Sequence, residues 1–189
     1  YNIKSDYVLE VDITPNRADA CSHYGVARDL YAYLKQNGYE TSLRRPSDEA
    51  FAVENSEPPI AIEVKDAEPC PRYAAVSIKG VTVKESPAGL KDKPNTIGLR
   101  PINNIVDITH YIPHAYGQPR RCVDADKIKG GRVVVQTLAE GTPFVTLDGV
   151  ERKLSDKDLV ICNAEEPMCL AGVFGGLDSG TTEETKNVF

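Results

Sequence analysis

Apolar positions along the chain change their period several times, and each change marks an element. Leu9, Val11 and Ile13 alternate with Glu10 and Asp12, the two-residue period of a half-buried strand, and Thr14-Pro15-Asn16-Arg17 ends it in a turn. Ser22 then caps a helix that carries Val26, Leu30 and Leu34 at helical spacing and closes at Asn37-Gly38. Over 46–59 the periodicity is lost while proline, serine and acids gather, which is the composition of a linker. Alternation returns at Ile60, Ile62 and Val64, and a second extended run covers 73–83 with a break at Gly80. Ser86-Pro87 offer a cap and a first-turn proline to a helix that should stop near Gly98. Pro94 inside it removes a backbone donor at a cost of about 3 kcal/mol, so the helix is expected to break there into two short turns.

The densest concentration of polar side chains on an apolar frame lies between Gly98 and Asp126. Ile102, Ile105, Thr109 and Ile112 recur at three- and four-residue spacing and predict one buried face of a short helix, capped by Asn104 and closed by Gly117. Asn103, Asp107 and His110 are then expected on the other side. Gln118-Pro119 forces an extended exit, because the residue before a proline is pushed out of the α region.

Beyond this stretch the pattern is β. Val133 and Val135 alternate with Val134 and Gln136, and F-V-T-L and V-E-R-K-L flank Asp148-Gly149, a two-residue hairpin signal. Another strand is expected over 158–162. Mainly β sequence with two or three short helices makes the class α+β. The run L-A-G-V-F-G-G collects small residues, Ala171, Gly172, Gly175 and Gly176, in the last third. From spacing alone it reads as a tight turn between strands, and it lacks the lysine of a phosphate loop and the dinucleotide pattern.

Composition narrows the classes. At 189 residues, 41% hydrophobic and 26% charged, the chain has the balance of a water-soluble globular protein and the length for one domain or two small ones. No apolar run approaches the roughly 20 residues that span a bilayer, and the first residues do not form a signal peptide, so no membrane is expected and the compartment is expected to be the cytoplasm. There are 22 basic and 28 acidic residues, a net charge of −6, so the average field repels nucleic acid. Arg100, Arg120, Arg121, Lys127, Lys129 and Arg132 nevertheless make the central third locally basic. From charge alone a solvated face is the preferred reading. Cys21, Cys70, Cys122, Cys162 and Cys169 fall at irregular spacings that signal neither a zinc site nor a disulfide framework, and no metal is expected.

Three segments in order, V-L-E-V-D-I-T-P-N-R-A-D, the stretch from Gly98 to Asp126, and L-A-G-V-F-G-G, resemble the beta subunit of bacterial phenylalanyl-tRNA synthetase over nearly the whole chain. The resemblance implies a three-layer domain around a β-sandwich over 60–189. It also implies that 1–45 is the strand-helix end of a split N-terminal domain, joined by the linker 46–59. The 60–189 domain is implied to hydrolyse tyrosine mischarged onto tRNA(Phe), beside an alpha subunit in a heterotetramer of two alpha and two beta chains. ATP and Mg2+ would serve the whole enzyme, with no cofactor in this part of it.

Such proofreading is required by the chemistry: an apolar pocket rejects an added hydroxyl only by a factor of about a hundred, so a second site must bind that hydroxyl and hold a water against the ester. Carried over by position, the resemblance implies an editing pocket from Asn104, Thr109, His110, Gln118, Arg121, Ala171 and Gly172, with Arg100, Arg120 and Arg121 as tRNA contacts. Thr109-His110-Tyr111 stands where the family usually reads Thr-Asn-Tyr, and Arg121 stands in place of the histidine that follows Gly-Gln-Pro-Leu. Ala115 stands where a glutamate is common. Arginine is always protonated and offers only donors, so it cannot serve as a general base, and weakened editing is expected. The competing reading is a non-catalytic module that binds RNA or docks the partner subunit. Either way, phenylalanine-dependent exchange of pyrophosphate into ATP by this chain alone is expected to stay at background; a clear signal would refute the assignment.

Overall fold

The computed structural model describes residues 7–55, 57 and 60–189. They form two compact units, Tyr1–Glu54 with Lys84–Arg121 and Asn55–Val83 with Cys122–Phe189. The α-helices fall in the first and the strands in the second, which makes the chain α+β.

In the first unit a 3-10 turn at Ala18–Ala20 leads into α1, His23–Gln36. Ser22 caps α1 as expected, its hydroxyl accepting the Gly25 N–H at 2.9 Å, and Asn37 and Gly38 close it. Gly25 lets the helix meet the 3-10 turn: a β-carbon there would lie 2.5 Å from the Asp19 carbonyl oxygen. Arg17 reinforces this join by pairing with both Asp19 and Asp29. The strand expected at Leu9–Ile13 does not form. Residues 7–14 carry no strand and, among the described residues, pair with none; Leu9 is 84% exposed. Alternation supplies a face, but a strand also needs a neighbour for its backbone groups.

α2 spans Ala88–Thr96 and runs through Pro94 instead of breaking there. The proline sits in the last turn, where little helix remains to be disrupted, and its carbonyl accepts the N–H groups of Ile97 and Leu99. Ser86 is not the cap. Pro87 takes that position, and the serine hydroxyl goes to a buried carboxylate described below. The stretch 46–59 lies outside the described residues at Ser56, Pro58 and Pro59; its described part holds neither helix nor strand.

The second unit is built on a five-stranded sheet. Its strands are β1 (Ala61–Val64), β3 (Arg132–Thr137), β6 (Leu159–Cys162), β7 (Pro167–Leu170) and β8 (Phe174–Gly175), in the order β1-β3-β6-β7-β8. Only β1 and β3 are parallel. β2 (Ile78–Lys79) pairs with β9 (Asn187–Val188), and β4 (Pro143–Val145) with β5 (Glu151–Lys153), as two-stranded ribbons. Of the extended run over 73–83, only β2 becomes strand.

Val133, Val134 and Val135 are all buried, which explains three valines where a half-buried strand would alternate. Val134 packs with Phe144, Leu154, Val160 and Cys162. Val133 packs with Val123, Ile128 and Met168.

The hairpin turn is displaced from the expected two residues. The Gly149 N–H bonds the Thr146 carbonyl at 2.8 Å and the Thr146 N–H bonds the Val150 carbonyl at 3.1 Å, so the turn centres on Leu147-Asp148. A two-residue hairpin turn at Asp148-Gly149 would need positive φ at Asp148, and of the two only Gly149 has it. Asp148 instead receives the Thr146 hydroxyl and the Arg152 guanidinium.

At Gly176 a β-carbon would lie 2.8 Å from the Met168 carbonyl oxygen and 2.9 Å from the Phe144 ring, whereas at Gly89 in α2 it would meet open space. Gly176→Ala should therefore destabilise the second unit by about 1–3 kcal/mol. Gly89→Ala should stabilise the first by up to about 1 kcal/mol. Urea midpoints of the two variants check the opposite signs.

Candidate functional site

The central helix, α3, spans Asn104–Tyr116. Its cap is Asn103, one residue earlier than expected: the Asn103 Oδ1 accepts the N–H groups of Ile105 at 3.1 Å and Val106 at 2.9 Å. Asn104 is the first helical residue and clamps a neighbouring segment. Its Oδ1 accepts the Lys84 N–H and its own N–H donates to the Lys84 carbonyl, both at 2.9 Å. Gly117 closes the helix as expected, with φ 75° and its N–H on the Pro113 carbonyl at 2.8 Å.

The face expected to bury the isoleucines is not the fully buried one. Ile102 precedes the helix and is 64% exposed, while Asp107 and Ala115 are the residues of α3 that are fully buried. Asp107 was expected on a polar recognition face; it is 1% exposed. Its Oδ2 accepts the Ser86 hydroxyl at 2.5 Å and its Oδ1 accepts the Ile102 N–H at 2.8 Å. Asn103 and Asp107 are therefore engaged in structure, and His110, like Asn103, is partly exposed.

Thr109 is partly buried, and its hydroxyl donates to the Val106 carbonyl at 2.7 Å. With the proton so used, its oxygen can act toward a ligand only as an acceptor. Gln118, Arg120 and Arg121 follow the helix, and Arg100 precedes it; all four are exposed. Among the described residues, none of the three arginines has an ion pair. These groups all belong to the first unit, as do Asn104 and His110.

Ala171 and Gly172 belong to the second unit, in the turn from β7 to β8. The Val173 N–H bonds the Leu170 carbonyl at 3.0 Å, and Gly172 takes φ 72° with open space where a β-carbon would point. The run is a tight turn, as its spacing implied, and the Gly172 backbone is exposed.

Two features of the second unit have no counterpart in the sequence patterns. Asp124, buried, accepts the hydroxyl of Thr185 at 2.7 Å and the Asp126 N–H at 3.1 Å. A cleft of about 560 Å3 is lined by Phe144, Met168, Leu177, Lys127, Lys129 and Glu166, among others. Both lysines are already engaged, which removes them from the basic patch. Lys127 donates to the Gly180 carbonyl at 2.8 Å, and Lys129 pairs with Glu166 at 2.9 Å and Glu165 at 3.4 Å. That pairing holds the Lys129 ammonium above its usual range and Glu166 below the usual carboxylate range.

Cys162 and Cys169 are buried, and burial pushes the Cys162 thiol up, away from reactivity. Among the described residues no three metal-ligating side chains converge, and no helix is long and apolar enough to cross a membrane.

A protein-family model, the B3/4 domain, matches residues 69–189, and the chain belongs to that family. It is 70% identical over all 189 residues to the Phenylalanine--tRNA ligase beta subunit of Bacteroides fragilis, and 57% identical over 190 aligned positions to that of Porphyromonas gingivalis. The resemblance read from the three motifs thus holds along the full chain. In each case the chain spans 23% of the relative's length. A solved N-terminal fragment of the phenylalanyl-tRNA synthetase beta subunit from Pyrococcus horikoshii aligns with a TM-score of 0.49 and 19% identity, covering 92% of this chain and 51% of that one.

The Asp124–Thr185 bond gives a stability test. Thr185→Val keeps the shape and removes the donor, leaving a buried carboxylate oxygen short of a partner; a loss of about 1–3 kcal/mol is expected by urea unfolding.

Proposed function

We propose that this chain is part of a phenylalanine–tRNA ligase beta subunit and contributes the site that hydrolyses tyrosyl-tRNA(Phe). The observation that carries the reading is Thr109. Its hydroxyl proton is donated to the Val106 carbonyl, so the oxygen presents lone pairs to an attacking water, and the residue stands at the family's threonine position. Water is the nucleophile in this reading, held by the threonine oxygen and by the tRNA end, with no covalent enzyme intermediate. Gln118 and His110, in the same unit, supply further polar groups.

Arg121 acts as a donor to phosphate or ribose oxygens, together with Arg100 and Arg120. Because no imidazole stands at position 121, proton removal from water is poorly assisted and the hydrolysis is slow. The remaining activities belong to the whole enzyme: aminoacylation with ATP and Mg2+, in the cytoplasm, with the alpha subunit in a two-plus-two assembly and tRNA(Phe) as substrate. No residue of this chain is assigned to ATP or to the metal.

Deacylation of tyrosyl-tRNA(Phe) by the subunit complex tests the reading. Thr109→Val should lower the rate by about tenfold, the equivalent of one hydrogen bond, and leave phenylalanylation unchanged. Restoring the family pattern with Arg121→His and His110→Asn together should raise it. Efficient hydrolysis that neither Thr109→Val nor Arg121→Ala alters would place the chemistry on other residues. No hydrolysis in any of these proteins would leave the chain a binding or docking module.

A further inference from the structure

Arg100 occupies a short span between two anchored segments. Upstream, the N–H groups of Ile97 and Leu99 donate to the Pro94 carbonyl at 3.2 and 2.9 Å, and that of Gly98 to the Asn95 carbonyl at 3.0 Å, which fixes 97–99 to the end of α2. Downstream, Ile102 is held by Asp107, Asn103 caps α3, and Asn104 exchanges two hydrogen bonds with Lys84. Arg100 and Pro101 are what lies between, and proline restricts its own φ. The Arg100 side chain is exposed and, among the described residues, has no carboxylate partner.

The downstream anchor depends on an expensive group. Asp107 is almost completely buried, and among the described residues no lysine, arginine or histidine pairs with it. Its two oxygens are satisfied by one backbone N–H and one hydroxyl, and the first turn of α3 adds a favourable dipole. A well-packed apolar side chain would fill such a place with less desolvation. The carboxylate does what an apolar residue cannot: it ties Ile102, two residues from Arg100, and Ser86 to one helix.

We propose that Asp107, with Ser86, is a positioning residue that holds Arg100 ready to meet a phosphate of the tRNA acceptor end. A guanidinium on a backbone fixed at both sides loses less freedom when it engages a phosphate oxygen, so the contact is stronger than one from a loose loop. The inference rests on the reading that the chain meets tRNA, and it is independent of whether hydrolysis follows.

The test is binding of uncharged tRNA(Phe) to the intact subunit complex over a salt series. Arg100→Ala should weaken binding and reduce the slope of log affinity against log salt by about one, the loss of one phosphate contact. Asp107→Leu should reproduce both changes, and the double variant should be no weaker than either single one. Asp107→Asn should bind nearly as the parent does, because its oxygen can accept from Ile102 while its amide donates to the Ser86 hydroxyl. If Asp107→Leu prevents folding, Ser86→Ala removes one tether alone; it should give a smaller loss that disappears in the Arg100→Ala background. An unchanged salt slope in Arg100→Ala overturns the proposal. So do additive losses in the double variant, or Asp107→Asn failing as Asp107→Leu does. Failure of the hydrolytic reading would alter none of these outcomes, since no ester bond is present.

Discussion

A carboxylate taken out of water has to be met by hydrogen-bond donors, and each unit of this chain contains one that is. Asp107 in the first and Asp124 in the second are answered in the same way, by one side-chain hydroxyl and one backbone N–H. The hydroxyl comes from far along the chain, Ser86 for Asp107 and Thr185 for Asp124, and the N–H from close by. Each pair therefore fastens a distant segment to a local turn. In the first unit it gathers the start of α2, the 100–104 turn and α3; in the second it brings the 182–185 segment to the turn that precedes β3. Leaving either oxygen without its donor would cost about 1–3 kcal/mol out of a domain's net stability of about 5–15, so each bond couples the stability of the segments it joins.

Elements whose signal is local were legible in the sequence. Ser22 followed by apolar residues at helical spacing gave α1 with its cap, and Gly117 marked the end of α3 because a left-handed residue is needed there. What failed was information that depends on distant partners. Leu9, Val11 and Ile13 alternate like a strand, yet no backbone among the described residues accepts their hydrogen bonds. Two adjacent asparagines can both cap; the choice of Asn103 followed from Asn104 being drawn to Lys84, twenty residues earlier. Asp107 looked like a recognition group because helical spacing does not show that Ser86 and Ile102 close over it.

For the site, residue types were readable but their engagement was not. Sequence alone gave the basic cluster of the central third, and the structure divides it: Lys127 and Lys129 are held by the second unit's own carbonyl and carboxylates, whereas Arg100, Arg120 and Arg121 stand exposed in the first. The same holds for Thr109, whose hydroxyl could donate or accept until its bond to the Val106 carbonyl settles the matter. A hydroxyl committed as acceptor, near arginines committed as donors along one segment of chain, is a pairing of opposite polarities.

The order of β1 and β3 has a consequence for how the chain folds. These two strands lie side by side and parallel, Ile62 against Val133, yet the whole of Lys84–Arg121, with α2 and α3, lies between them in sequence and belongs to the other unit. At equilibrium such an insertion costs little, since closing a loop twice as long adds only about 0.6 kcal/mol. Its effect is on time. During synthesis β1 emerges with no partner and must wait, its backbone groups unpaired, until β3 follows, and the β2–β9 ribbon must wait until Val188 is made. Pairing across such separations is slow. The interval before the sheet closes is when this chain is most open to aggregation, and the helical insert is the part that can form first because its contacts are nearest in sequence.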